Sequence, residues 1–203
     1  MPPAFVRRPA GMIVGVVLAA GLSRRMGKAK LLLPLDGKPI LRWSVEALQP
    51  HVDQLVVVVP PDDAAIRIAL DGLRVRFATN PQPDAGQGTS IAAGIKTLPP
   101  DATAAVIALG DQPRLPDGLV RDLLAMFSSS GKSIAAPVYR GVQGTPVVFA
   151  ASMFGELRTL EGDAGARAVV RKDPRRVSTL AVDADMPFDV DTPDDYARLS
   201  GEP

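Results

Sequence analysis

The chain has 203 residues, no cysteine, one histidine and a formal net charge of +1. That inventory excludes disulfides, thiolate nucleophiles, thiolate metal sites and paired-histidine chemistry, and its dispersed basic residues lack the electrostatic footprint of a duplex nucleic-acid binder. Hydrophobic residues make up 46% of the sequence, enough to fill one α/β domain, while no apolar run approaches the about 20 residues that span a bilayer. Chemistry on this chain must therefore use carboxylates, cations and backbone groups, on a small-molecule ligand and away from membranes.

Taken in chain order, residues 1–11 read as a flexible N-terminal extension: two arginines and three prolines stand there without an apolar core of signal-peptide length. This predicts a cytoplasmic protein with one domain over residues 12–203. Apolar, β-branched runs at 12–18, 54–59, 75–79, 104–109 and 133–138 predict strands. Between them, amphipathic segments at 39–48, 62–70, 89–98 and 117–127 predict helices, with Pro39 suited to a first helical turn. Trp43, on the first of these, reads as a core residue and His51 as surface, in the turn that follows. Strand and helix thus alternate as in a Rossmann-like, doubly wound, mostly parallel sheet. Later, 146–149 predicts an antiparallel strand, and 152–160 and 164–171 predict helices. In such folds ligands gather at the carboxyl ends of strands, where three loops fall: the one after Leu18, the segment 80–90, and the turn after Leu109.

The first loop, LAAGLSRRMGKAK over residues 18–30, combines small residues, two glycines and four basic side chains. Gly21 and Gly27 allow sharp turns with exposed N–H groups, and Arg24, Arg25 and Lys30 supply charge, which suits a polyphosphate and points to a nucleoside triphosphate. Neither the dinucleotide G-x-G-x-x-G spacing nor a Walker loop is present; Gly131-Lys132-Ser133 has Met126 where a Walker loop needs glycine. Asp111 follows an apolar strand, a suitable position for a carboxylate that binds Mg2+, which takes few protein ligands and completes its shell with phosphate and water. Asp189 and Asp191 flank Val190, so in an extended segment both carboxylates share a side, and one of them could complete a metal site. Thr192-Pro193 has the chemistry of a helix start. The glycines at 86 and 88 followed by Thr89 and Ser90 open a helix whose backbone and hydroxyls can reach a base or phosphate, and Asp163 stands at a predicted N-cap.

Leu18, Gly21, Arg25, Met26, Gly27 and Lys30 match the signature L-x-x-G-x-x-x-R-M-G-x-x-K, and the chain resembles the MobA-like nucleotidyltransferases in it. Within that family it resembles molybdenum cofactor cytidylyltransferases, through Asn80-Pro81, Gly86 to Ser90, LGDQP at 109–113, GDAGAR at 162–167 and DVDTPDDYARL at 189–199. The resemblance implies a fold of the nucleotide-diphospho-sugar transferase type. It also implies transfer of CMP from CTP to molybdopterin, with release of pyrophosphate and delivery of the product to a molybdenum hydroxylase.

For individual residues, the resemblance implies catalytic roles for Arg25, Lys30 and Asp111. Nucleotide contacts are implied for Leu18, Ala19, Ala20, Gly21, Arg25, Lys30, Asn80, Gly88 and Ser90. Asp111 and Asp191 would hold magnesium, with Asp189 the less favoured choice, and Asp163 and Arg167 would meet the acceptor. Ala20 bears on the base, because guanylyl-transferring relatives read LAGG where this chain has LAAG. Gly144-Thr145-Pro146 departs from the Gly-His-Pro common in cytidylyltransferases and leaves the acceptor open. Transfer from GTP or to another phosphorylated metabolite, an NAD(P)H-dependent oxidoreductase, and a nucleotide-binding chaperone or sensor are the alternatives.

Overall fold

A computed structural model describes residues 10–21 and 29–201. Arg24, Arg25, Met26, Gly27 and Lys28 of the basic loop, and residues 1–9 of the expected extension, lie outside that range. The first strand, β1 (Met12–Leu18), is followed by a short hairpin of β2 (Pro34–Leu35) and β3 (Lys38–Pro39), then α1 (Ile40–Leu48) and β4 (Gln54–Val59). Next come α2 (Ala64–Ala69), β5 (Arg76–Thr79), α3 (Gln87–Lys96), β6 (Ala102–Leu109), α4 (Leu119–Ser130) and β7 (Ile134–Tyr139). The last third contains β8 (Val142–Gln143), β9 (Val147–Ala150), α5 (Phe154–Leu157), α6 (Ala166–Lys172), β10 (Val177–Val182) and α7 (Pro193–Ser200).

The main sheet runs β10-β7-β9-β6-β1-β4-β5, with β8 paired to β7. Along that path every pairing is parallel except the two that β9 makes with β6 and β7. From β1 the chain builds outward through β4 to β5, then returns to lay β6 on the opposite side of β1. Strand order therefore reverses between β1 and β6, and their carboxyl ends form the crevice in which doubly wound folds bind ligands. Leu18 and Leu109, the last residues of these strands, are register partners, and the Gly110 N–H donates to the Leu18 carbonyl at 2.9 Å.

The apolar runs are unbroken because both sheet faces are covered. Val14 and Val16 of β1 face one core with Ile91 and Ile95 of α3 and Val169 and Val170 of α6. Ile13 and Val17 face the other with Leu41, Val45 and Leu48 of α1 and Leu123 of α4. Burying each such side chain stabilises the fold by about 1.5–3 kcal/mol. Among the described residues no helix is long and apolar enough to cross a membrane.

A third, smaller cluster has a functional consequence. Leu35, Ile40 and the fully buried Val190 pack with Trp43, Tyr196 and Leu199, while the Trp43 indole N–H donates to the Leu35 carbonyl at 2.8 Å. Trp43 is thus a packing residue, as its place in the helical pattern predicts. Thr192 and Asp195 cap α7 reciprocally in a capping box, and the Tyr196 hydroxyl donates to the Pro34 carbonyl. Cap and cluster together fix residues 189–191 against the ends of β1 and β6; the Val190 N–H donates to the Asp111 carbonyl at 3.3 Å.

The structure departs from the sequence reading mainly after Tyr139. The helix predicted at 152–160 is a 3-10 turn (Ala151–Met153) followed by the four-residue α5, because the chain must leave early for residues 161–162 to pack on α3. The helix predicted at 164–171 begins at Ala166 with Gly165 as its N-cap, so Asp163 is not a capping residue; it lies exposed in the loop before the helix. Strand β10, absent from the prediction, is a sheet edge with one parallel neighbour, and its Ser178 and Thr179 interrupt the apolar run that marks central strands. Pro39 is the N-cap of α1 rather than a first-turn residue.

Candidate active site

At the switch point the ends of β1 and β6 and the start of α3 enclose an open cleft of about 630 Å³. Leu18 at the end of β1, Ala20 and Gly21 just after it, Ser90 of α3, and the paired Lys30 and Asp111 line it. Lys30 opens a 3-10 turn and is only 8% exposed. Its Nζ donates to Asp111 Oδ2 at 2.6 Å and to Asp191 Oδ1 at 2.7 Å. Two carboxylates remote in sequence therefore converge on one ammonium. Burial alone depresses the Lys30 pKa, but the adjacent Asp111, reinforced by Asp191, outweighs it and holds the group above its ordinary 10.5. Lys30 stays charged, and one of its three donors is not used by these two partners.

A third carboxylate stands beside this pair. Asp189 Oδ1 accepts from Gln112 Nε2 at 2.6 Å, and alternation about the buried Val190 sets Asp189 and Asp191 on the site side. Burial raises the Asp189 pKa; the hydrogen bond from Gln112 opposes this, the charges on Asp111 and Asp191 add to it, and Arg167 counteracts them. Arg167 lies on α6 with one guanidinium nitrogen 3.1 Å from Met186 Sδ, a weak acceptor that leaves a strong donor group available. Asp163 is exposed.

Asn80 and Gly88 do not line the cleft. Asn80 is buried beneath it, donating from Nδ2 to Thr89 Oγ1 at 2.9 Å and Ser90 Oγ at 3.0 Å, while its Oδ1 accepts from the Gln82 N–H at 3.0 Å. It shapes the loop and holds Ser90 in place. Gly88 donates its N–H to the Gly162 carbonyl at 2.8 Å, and a Cβ there would meet the Glu161 backbone oxygen at 2.7 Å. Its smallness serves the contact between α3 and residues 161–162. Gly88→Ala is expected to cost about 1–3 kcal/mol of stability through overpacking, measured as a lower denaturation midpoint; an unchanged midpoint contradicts this packing role. Ala19 is buried in the α1-side core, and Arg25 lies outside the described residues.

Residues 15–181 match the MobA-like NTP transferase domain family. The chain belongs to that family. It is 33% identical over 195 residues to the purine catabolism protein PucB of Bacillus subtilis, covering 91% of this chain and 94% of that one. It is 30% identical over 192 residues to a molybdenum cofactor guanylyltransferase of Rhodobacter capsulatus, covering 93% and 90%. Among solved structures, Rv0371c of Mycobacterium tuberculosis H37Rv superposes with a TM-score of 0.82 at 34% identity, covering 94% of this chain and 97% of that one. Rv0371c has also been solved as a complex with manganese.

As a MobA-like nucleotidyltransferase domain, the protein lines the cleft with small residues and with the Lys30–Asp111 pair, and Asp191 joins that pair through Lys30. Gly86, one of the two glycines expected to present backbone to a ligand, lines the cleft, and so do Pro83 and Gln87, to which the sequence assigns no role. Gly86 and Gln87 fall inside the motif that marked this loop, but which of its residues face outward depends on how α3 packs. Gln112 lies within LGDQP, yet its role emerges only from contacts with residues 33 and 77 positions away.

Proposed function

We propose that the protein transfers CMP from CTP to the phosphate of a molybdopterin-type acceptor, releasing pyrophosphate. The observation that carries this reading is the convergence of Asp111 and Asp191 on Lys30 at the strand-order reversal, where Lys30 and Asp111 line a cleft with Leu18, Ala20 and Gly21. An acceptor phosphate oxygen attacks the α-phosphorus in line, a new P–O bond forms, the bond to the bridging oxygen breaks, and pyrophosphate departs. A phosphate monoester is already ionised at neutral pH, so no general base is required, in keeping with a chain that has one histidine and no cysteine.

The donor set fits a divalent cation. Asp111 and Asp191 already share one cationic partner, Lys30. Two such carboxylates suit magnesium, which Asp111 and Asp191 would hold and which would supply charge neutralisation to the triphosphate. A triply acidic neighbourhood would otherwise repel a polyanion. Lys30 supplies positive charge to the phosphates, with Arg25 of the basic loop as its partner. The Ser90 hydroxyl and the backbone at Ala20 and Gly21 contact the nucleotide, and Arg167 takes the acceptor phosphate. Ala20 favours cytosine over guanine by adding a methyl group to the LAAG turn.

The test is transfer of labelled nucleotide from CTP and from GTP to molybdopterin. A labelled dinucleotide product formed from CTP, with pyrophosphate in equal amount, is expected. Absence of product from either triphosphate refutes the reading, and product from GTP alone corrects the base.

A further inference from the structure

The transfer chemistry leaves Asp189 unused, although the fold builds a support for it. Gln112, only 1% exposed, donates from Nε2 to Asp189 Oδ1 and accepts at Oε1 from the buried Thr145 hydroxyl. The Thr145 carbonyl in turn accepts from the buried Tyr139 hydroxyl at 2.8 Å. The polarity of this chain follows from its end. A carboxylate only accepts, so the Gln112 amide must turn its NH2 group to Asp189 and its oxygen to Thr145, which must donate. Gly144 makes room for the support: a Cβ there would meet Tyr139 Cε2 at 2.5 Å.

Buried polar chains are costly unless satisfied, and the side-chain donors and acceptors that form this one are paired inside it. The exception is its outer end. Asp189 Oδ2 has no hydrogen-bond partner among the described residues, and the residue is half-buried rather than freely solvated. A carboxylate oxygen held rigidly and left open accepts an N–H or O–H. It rejects a second anion, more strongly beside Asp111 and Asp191, whereas Arg167 nearby provides the complementary charge for a phosphate.

We infer that Asp189 is a specificity-determining residue that accepts a hydrogen bond from an N–H on the acceptor's heterocycle, with Gln112 and Thr145 as its positioning residues. The acceptor class is then a phosphate ester carrying an amino or lactam N–H, not a bare or multiply anionic phosphorylated metabolite. This inference rests on the nucleotidyltransferase reading for the identity of the site and adds the acceptor's second recognition element.

The test compares two probes that share the phosphate ester, pterin-6-ylmethyl phosphate and 2-naphthylmethyl phosphate, by calorimetric titration. Wild type is expected to bind the pterin ester about tenfold more tightly, the size of one hydrogen bond to a charged group. Asp189→Asn, which keeps the bond from Gln112 but can turn a donor outward, is expected to erase that preference. Thr145→Val should reduce it and Thr145→Ser restore it, with naphthyl ester binding unchanged by either Thr145 substitution. Equal binding of the two probes by wild type, including no binding of either, overturns the inference, as does a preference that survives Asp189→Asn. CTP and GTP are titrated on the same samples: failure of wild type to bind either counts against the nucleotidyltransferase reading, whereas a missing pterin preference with intact triphosphate binding counts only against Asp189.

Discussion

Lys30→Ala is expected to reduce turnover about 100- to 1000-fold, the cost typical of removing one preorganised donor from developing negative charge. The structure adds a second consequence. Lys30 is buried between Asp111 and Asp191, so its loss leaves two carboxylates facing one another without their shared cation, and the free protein should melt at a lower temperature. It should still fold, because the two main cores do not include this side chain. The folded pKa of Lys30 is raised above 10.5, so its stabilising contribution is complete below that ordinary value and is lost as the pH rises through the folded pKa. The difference in midpoint between wild type and variant should therefore persist from neutral pH to pH 9 or so. Steady-state kinetics and thermal denaturation check both expectations, and near-normal turnover would remove Lys30 from the chemistry.

Asp111→Asn should act through a different route. The substitution keeps the side-chain shape, and the backbone contact from the Val190 N–H to the residue-111 carbonyl is independent of the side chain. Lys30 retains Asp191 as a partner. What disappears is one of two anionic oxygens available to a divalent cation. If that cation supplies several kcal/mol of charge neutralisation, turnover should fall about 100- to 1000-fold. Manganese binding in the presence of triphosphate, followed by electron paramagnetic resonance, should weaken in parallel. Unchanged metal dependence in the variant contradicts the assignment of Asp111.

The sheet centre was legible from sequence because β1, β4 and β6 are buried on both faces and read as continuous apolar runs. Strand β10 was not, since an edge strand with polar residues lacks that signal, and α5 and α6 were overextended because tertiary contacts end and start them. At the site, Asp111 is singled out by its place after an apolar strand, whereas Asp191 is preferred to Asp189 only through the family resemblance. Their meeting at Lys30, across 81 and 161 positions, follows only from the strand-order reversal and from the anchoring of Val190. Gly88 shows the opposite failure. A glycine in a phosphate-loop motif suggests a ligand contact, but here its missing side chain accommodates the backbone of another loop. Thr145 was visible as a departure from the family pattern, and only its hydrogen bond to Gln112 gives that departure a physical meaning.

The most direct measurement of the central claim is calorimetric titration of CTP, GTP, ATP and NADPH, each with and without magnesium, into wild type and Asp111→Asn. The account predicts CTP binding that requires magnesium and is lost in the variant. Magnesium-dependent binding of GTP or ATP instead would preserve nucleotidyl transfer and correct the base. Binding of NADPH with no response to any triphosphate would contradict the account and favour the oxidoreductase.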